Sequence, residues 1–483
     1  MNAQIPNTKI GMFDSFSNIG SPAIPGEVTY NHAAQKYKIK ASGKNIWFGT
    51  DSFSFLSKEM TGDFIIQTKI DFIGEGHEPH RKTGIMLRSS NAANSAMVAC
   101  TVHGDGLLAL QYRKTDGADV EEIKFEKNGA NVIQLEKRGT TYTMSVATLG
   151  ELYTVEKIEG IDLGDTLVSG LYVCSHNDNF FEEVEFTNTR IFNTAADDLQ
   201  QYKDYLGSLL EVLDVKTGER TVLANSEGSW QAPNWTPDGK TLIYNANGKL
   251  YNFDLASKTS SELFTDFAIK NNNDHVLTFD GTQIGISHHA KESDGQSLIY
   301  TLPVTGGTPK LVTKKSPSYL HGWSPDNKFL IYTAERKGAY NLFKISVDGG
   351  KETQLTNTDG LDDGSEYSPD GKYIYFNSTR TGTMQVWRMD ANGKNQTQLT
   401  FDEYNDWFPH VSPDNKWLVF ISFPKEVPAD KHPFYERCYI RLMPIEGGEP
   451  KVIGYVYGGQ GTMNVPSWSP DGSKIAFVSN GYF

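Results

Sequence analysis

Cysteine is scarce in this chain: three residues in 483 cannot build the disulfide framework on which small secreted domains depend. Cys100 and Cys174 both lie in apolar, strand-like runs (MVACTV and LYVCSH), which reads as two buried thiols or, alternatively, as one bridge between them. Long apolar runs are missing too, so no helix of this sequence is expected to cross a bilayer. Basic charge is in deficit. Lys and Arg number 45 against 59 Asp and Glu, a formal charge of -14, and such a surface repels phosphate backbones and anionic lipid, which excludes nucleic acid as a partner class. The opening Met1-Asn2-Ala3-Gln4 lacks a basic and apolar leader; Asn-Ala-Gln resembles the scar left where a bacterial secretory signal is cut, pointing to a periplasmic or secreted protein.

What the chain has in abundance is glycine and aromatics: 45 Gly, 26 Phe, 23 Tyr and 8 Trp, the profile of many short strands joined by tight turns. One turn recurs six times, at Pro237-Asp238-Gly239, Asp280-Gly281, Pro325-Asp326-Asn327, Pro369-Asp370-Gly371, Pro413-Asp414-Asn415 and Pro470-Asp471-Gly472. Its aspartates are 42, 46, 44, 44 and 57 residues apart, and an alternating strand such as Lys372-Tyr373-Ile374-Tyr375-Phe376 follows. That period is one four-stranded propeller blade. The long last interval contains an insertion at about residues 423–437. The sixth repeat stops after two strands, while Leu209–Asp214 and Arg220–Leu223 supply two strands before the first full repeat, so the ring closes on itself. Residues 1–192 show no such period but carry closely spaced strands and read as a β-sandwich; 193–207 reads as a linker with a short helix, and 208–483 as the propeller.

The aromatic-Ser-Pro-Asp-Gly/Asn turns resemble the PD40 repeats of TolB-like six-bladed β-propellers. In the first half, Gly62-Asp63-Phe64, Thr83-Gly84-Ile85-Met86-Leu87-Arg88 and Gly104-Asp105-Gly106 with Leu110-Gln111-Tyr112-Arg113 resemble concanavalin-like jelly-roll modules of secreted bacterial proteins. The two resemblances together imply an all-β protein of the bacterial periplasm or exterior, associated with glycan handling.

Counting from each turn places His275 and His321 at one equivalent position, and Glu366 and His410 at the next, where other repeats have Asn234, Val276, Gly322 and Ser467. The second strands end in His288-His289, Glu335-Arg336 and Thr379-Arg380, and the insertion carries His432. All six propeller histidines therefore map to one rim. Imidazoles can ligate a divalent metal and move protons near neutral pH. His275, His288, His289, His321 and His410 are the candidate ligands of a divalent ion (Mn, Zn or Ca), and His321, Glu366 and His410 the candidate catalytic groups. Arg336 and Arg380 could clamp an acidic sugar, with Asp363, Trp407, Gln460 and Asn464 as further contacts. The loop Gly458-Gly459-Gln460-Gly461 lacks the lysine of a phosphate loop and reads as a turn or ligand contact.

Oligogalacturonate lyases, related to this repeat class, use a histidine-rich metal site on acidic sugars; their Gln and His group lies within one blade, whereas here the histidines spread over blades two to five. No G-x-S-x-G elbow accompanies the repeats, so the peptidases that carry propellers are not matched. In the first half, Trp47, His77, His80 and Arg81 could contact sugar, and His77-x-x-His80 has metal-compatible spacing. Two functions are thus expected: an enzyme acting on an oligosaccharide or polysaccharide, of glycoside hydrolase or lyase type, or a TolB-like binding protein for a peptide, protein or glycan.

Overall fold

The computed structural model describes residues 9–481, so the cleavage-scar reading of Met1-Asn2-Ala3-Gln4 lies outside the described residues. The chain is nearly all β and divides into two compact units, one ending at Thr194 and the other beginning at Ala195.

In the first unit two seven-stranded antiparallel sheets share one core. Leu56, Ile85, Val98, Leu110 and Leu171 of one sheet are buried in a single cluster with Ile66, Leu135, Met144, Val184 and Phe186 of the other. The first sheet is apolar on its second face as well. There Phe53, Phe55, Met86, Met97 and Tyr172 pack with Ile46 and Trp47, which is why Lys82–Arg88 and Met97–His103 are buried at every position rather than alternately. Trp47 accordingly serves as packing. Beneath that second cluster lies a fully buried charge group: Asp51 Oδ2 accepts hydrogen bonds from Arg88 Nη1 at 2.7 Å and Arg113 Nη1 at 2.8 Å, and Oδ1 accepts from Arg113 Nη2 at 2.6 Å. All three cysteines are free and buried, so Cys100 and Cys174 are thiols, not a bridge.

The second unit is a six-bladed propeller. Five blades are continuous four-stranded sheets, beginning at the inner strands Trp230–Trp235, Asn271–Leu277, Ser318–Trp323, Asp362–Tyr367 and Asn405–Val411. The sixth joins the two ends of the unit: Ser208–Asp214 sits between Arg220–Ser226 and Lys474–Ser479, with Trp468 bridging Ile475 on the inner side. Glu211 locks this seam, taking Arg220 through both carboxylate oxygens and the Ser479 hydroxyl at 2.5 Å. The segment 195–207 forms turns, Leu199 N–H bonding Ala196 O and Lys203 N–H bonding Gln200 O, not the expected helix. A polar run this short gains too few bonds to offset helix nucleation.

The recurring turn is one hydrogen-bonded device used six times. The Ser or Thr ahead of it (Thr236, Thr278, Ser324, Ser368, Ser412, Ser469) donates its hydroxyl to the turn aspartate at 2.6–2.7 Å and accepts the amide of the following strand. The residue after the aspartate has φ between +57° and +72°, which explains why only Gly or Asn occurs there. Hydroxyl and amide donors hold the six carboxyls below their ordinary range, Asp471 down to about 2. A carboxyl that titrates lower in the folded state contributes stability that is complete above the unfolded value near ~4 and is lost as pH falls through the folded one. The melting temperature of the propeller followed by circular dichroism is therefore expected to fall progressively between about pH 4 and pH 2, less steeply for Asp471→Asn. A melting temperature flat across that interval would contradict the assignment.

Candidate functional site

Every full blade carries a bulge in its inner strand, and this irregularity decides which side chains reach the mouth of the propeller. In blades one, four and five the register slips by one residue, between Gln231 and Asn234, Asp363 and Glu366, and Trp407 and His410. The backbone turns left-handed inside these bulges, at Ala232, Gly364 and Phe408. Blade three slips between Leu320 and Gly322, leaving His321 in the bulge. Blade two differs. Its extra residues precede His275, which pairs regularly with Ile286.

The two histidines that are equivalent by count consequently part company. His275 is fully buried, its Nε2 on Ile243 O at 3.2 Å, and burial pushes its imidazole down to about 4. His321 instead lines a mouth cavity of about 600 Å³, with its Nε2 donating to Asp363 Oδ1 at 2.8 Å. Asp363 Oδ1 also accepts the Thr333 hydroxyl at 2.6 Å and the Gly364 amide at 2.8 Å. Burial alone would raise the Asp363 carboxyl, but the charge and hydrogen bond of His321 outweigh it and hold it near about 2. Burial likewise opposes the charge of His321, yet Asp363 and then Asp274 keep it above the ordinary imidazole range. His432, from the insertion, also lines the mouth, and burial lowers it.

Of the other expected site residues, His289, Gln460 and Asn464 line this cavity. Gln460 Oε1 accepts from Asn464 Nδ2 at 3.0 Å, and Asn464 Oδ1 accepts the Gly461 amide, so the glycine-rich loop is a braced turn at the rim. The remaining candidates are held elsewhere. Glu366 lines a separate, mainly apolar cavity of about 320 Å³ among the turn prolines Pro237, Pro369, Pro413 and Pro470. His410 bonds Glu366 Oε2 at 2.6 Å through Nδ1 and Met463 O at 2.8 Å through Nε2, while Glu366 Oε1 accepts the Val411 amide. The pair is a strap across blades four, five and six. Arg336 forks onto Glu352 with two bonds of 3.0 Å, and Arg380 onto Asp362 with two more, so both clamps grip carboxylates of their own blades. His288 accepts the Lys270 amide and packs on Tyr300 and Phe267; Trp407 is buried against His432.

The expected ligand set for a divalent ion is therefore not assembled: His275, His288 and His410 are each engaged in a different blade contact, and only His289 and His321 reach the mouth. Among the described residues no group of three or more His, Cys, Asp or Glu side chains is arranged to hold a metal ion. In the first unit His80 lies 3.7 Å from Asp105 and His77 stacks on Phe180, while Arg81 pairs with Glu182.

Counting by repeats missed Asp274, Tyr319, Tyr340 and Tyr202, all of which line the mouth. A signal for one of them, Tyr319, was present. The residue seven before each turn aspartate is Gln231, Asn273, Tyr319, Asp363, Trp407 or Asn464, and four of these six line the cavity.

Residues 315–429 match the model of the PD40 family, the TolB beta propeller domain. The uncharacterized protein Atu1656 of Agrobacterium fabrum is 44% identical over 272 residues, spanning 56% of this chain and 92% of that protein. The solved structure of a TolB candidate from Agrobacterium tumefaciens is 42% identical, with a TM-score of 0.55, and covers 57% of this chain and 99% of its own. TolB from Acinetobacter baumannii is 17% identical with a TM-score of 0.42, covering 68% of this chain and 79% of that one. Through its C-terminal unit, this chain belongs to the TolB-type β-propeller family.

Proposed function

We propose that the protein is a non-catalytic binding protein of the TolB type whose propeller mouth holds a segment of a peptide or protein partner. The observation that carries this reading is the lining of the 600 Å³ cavity: tyrosines 202, 319 and 340 stand beside amide side chains of Asn272, Gln460 and Asn464. Tyrosine supplies area and one polar tip at small entropic cost, and amides match the donors and acceptors of a peptide backbone. The family supports a protein or peptide partner in the same direction. Such a partner fits a periplasmic or secreted setting, in which the two-sheet unit would serve as a concanavalin-like companion module.

The test is capture of a pool of pentapeptide amides by the intact protein, scored by mass spectrometry. Replacing both aromatic anchors, Tyr319→Ala with Tyr340→Ala, is expected to weaken capture about tenfold or more at an unchanged melting temperature. Undiminished capture by that variant, or none by the parent, overturns the reading.

A second reading, an enzyme acting on an oligosaccharide, rests on the buried His321–Asp363 pair and nearby Asp274, two carboxyls pushed apart, Asp274 up to about 6 by burial and Asp363 down to about 2 by His321 against its own burial. Release of reducing ends from a panel of acidic and neutral oligosaccharides, abolished in His321→Asn, would establish it in place of the first.

A further inference from the structure

The mouth contains a carboxylate that feels the charge of His321 but forms no ion pair with it. Asp274 lies in the bulge of blade two, is 6% exposed and lines the cavity, yet among the described residues no basic side chain is ion-paired with it. The neighbouring imidazole, His321, spends its Nε2 on Asp363. One oxygen of Asp274, Oδ2, accepts the Asn272 side-chain amide at 2.7 Å; the other, Oδ1, accepts no hydrogen bond among the described residues and is not sealed from the cavity. A carboxylate this buried ordinarily finds a cation or neutralises itself. Burial does push Asp274 up, to about 6, with the Asp363 charge adding to the push and that of His321 opposing it.

We infer that Asp274 receives the ammonium group of a peptide's free amino terminus, in a mouth lined by Tyr202, Tyr319 and Tyr340. This rests on the peptide-binding reading above and names the part of the peptide that enters first. Two further features favour an ammonium at the start of a peptide. Tyrosine faces add attraction for a desolvated ammonium. The amide side chains of Gln460 and Asn464 across the mouth suit the peptide groups that follow a terminus.

The test compares two pools of pentapeptide amides, one with free amino termini and one N-acetylated, each offered to the intact protein and to Asp274→Asn. The free pool is expected to be retained about tenfold better than the acetylated pool by the parent, and the preference is expected to vanish in Asp274→Asn because a charge-assisted hydrogen bond is lost. Asp274→Asn keeps the shape of the side chain and removes an unpaired buried charge, so its melting temperature should equal or exceed that of the parent; a lower one would mean the carboxylate is structural and overturns the assignment. Equal retention of both pools overturns this inference while leaving peptide binding intact. Retention of neither pool overturns both. Retention of a glucosamine tetramer alone, dependent on Asp274, assigns the site to an amino sugar and overturns the peptide terminus.

Discussion

A chain ending at Ser473 is expected to lose the cooperative unfolding transition of its propeller. The strand that such a truncation removes, Lys474–Ser479, pairs residue for residue with Ser208–Asp214 from Leu209 to Asp214. It also faces two ways. Ile475 and Phe477 are buried in a cluster with Trp468 and Val419, and Ala476 and Val478 in another with Leu210 and Tyr244. Each large apolar side chain of that strand contributes roughly 1.5–3 kcal/mol, so together they rival the whole stability of a typical domain, about 5–15 kcal/mol. Without it Glu211 also loses the Ser479 hydroxyl, and Ser208–Asp214 becomes an open edge. Differential scanning calorimetry of the truncated and full chains measures this directly, and a propeller transition that survives at the same temperature rules out the strand as the closing element.

The second large effect belongs to the first unit. Asp51→Ala leaves Arg88 and Arg113, both fully buried, without their shared counterion, and is expected to destabilise that unit by about 3–5 kcal/mol. The cost comes from the stranded guanidiniums more than from the lost bonds. Replacing all three together, Asp51→Leu with Arg88→Met and Arg113→Met, should therefore cost much less than the single change. Urea denaturation of the intact chain, following the transition of the two-sheet unit, separates the two cases; a triple variant as unstable as Asp51→Ala would show that shape, not charge, governs the site.

The propeller was legible in the chain because its signals are local. A hydroxyl, an aspartate and a left-handed Gly or Asn within four residues specify each turn, and six copies at blade spacing specify the ring. The mouth was legible only in part. Counting from the turns brings His321 and Asp363 to one cavity, because those residues lie on strands whose bulges fall where the count assumes, and Gln460 and Asn464 reach it from the glycine-rich loop. It fails at His275, since one blade places its bulge earlier and so turns a different residue, Asp274, toward the opening. It also fails for the arginines. Arg336 and Arg380 are spent on Glu352 and Asp362, which are 16 and 18 residues away in sequence, and no repeat count exposes such a pairing. Glu366 and His410, which share one repeat position, do meet, but every polar atom of their side chains is taken by the protein, which turns a candidate catalytic pair into a tie between blades.

The sixth blade has a consequence for synthesis on the ribosome. Ser208–Asp214 emerges early but finds its permanent neighbour only when Lys474–Ser479 has been made. At about 5–20 residues per second, a nascent chain must keep that seam unpaired for on the order of tens of seconds. Throughout this interval the two-sheet unit, whose partners are all encoded before Ala195, already has every strand it needs. Translation order thus makes the leading half a finished body while the trailing half waits, and it is the waiting half that a chaperone would have to shield.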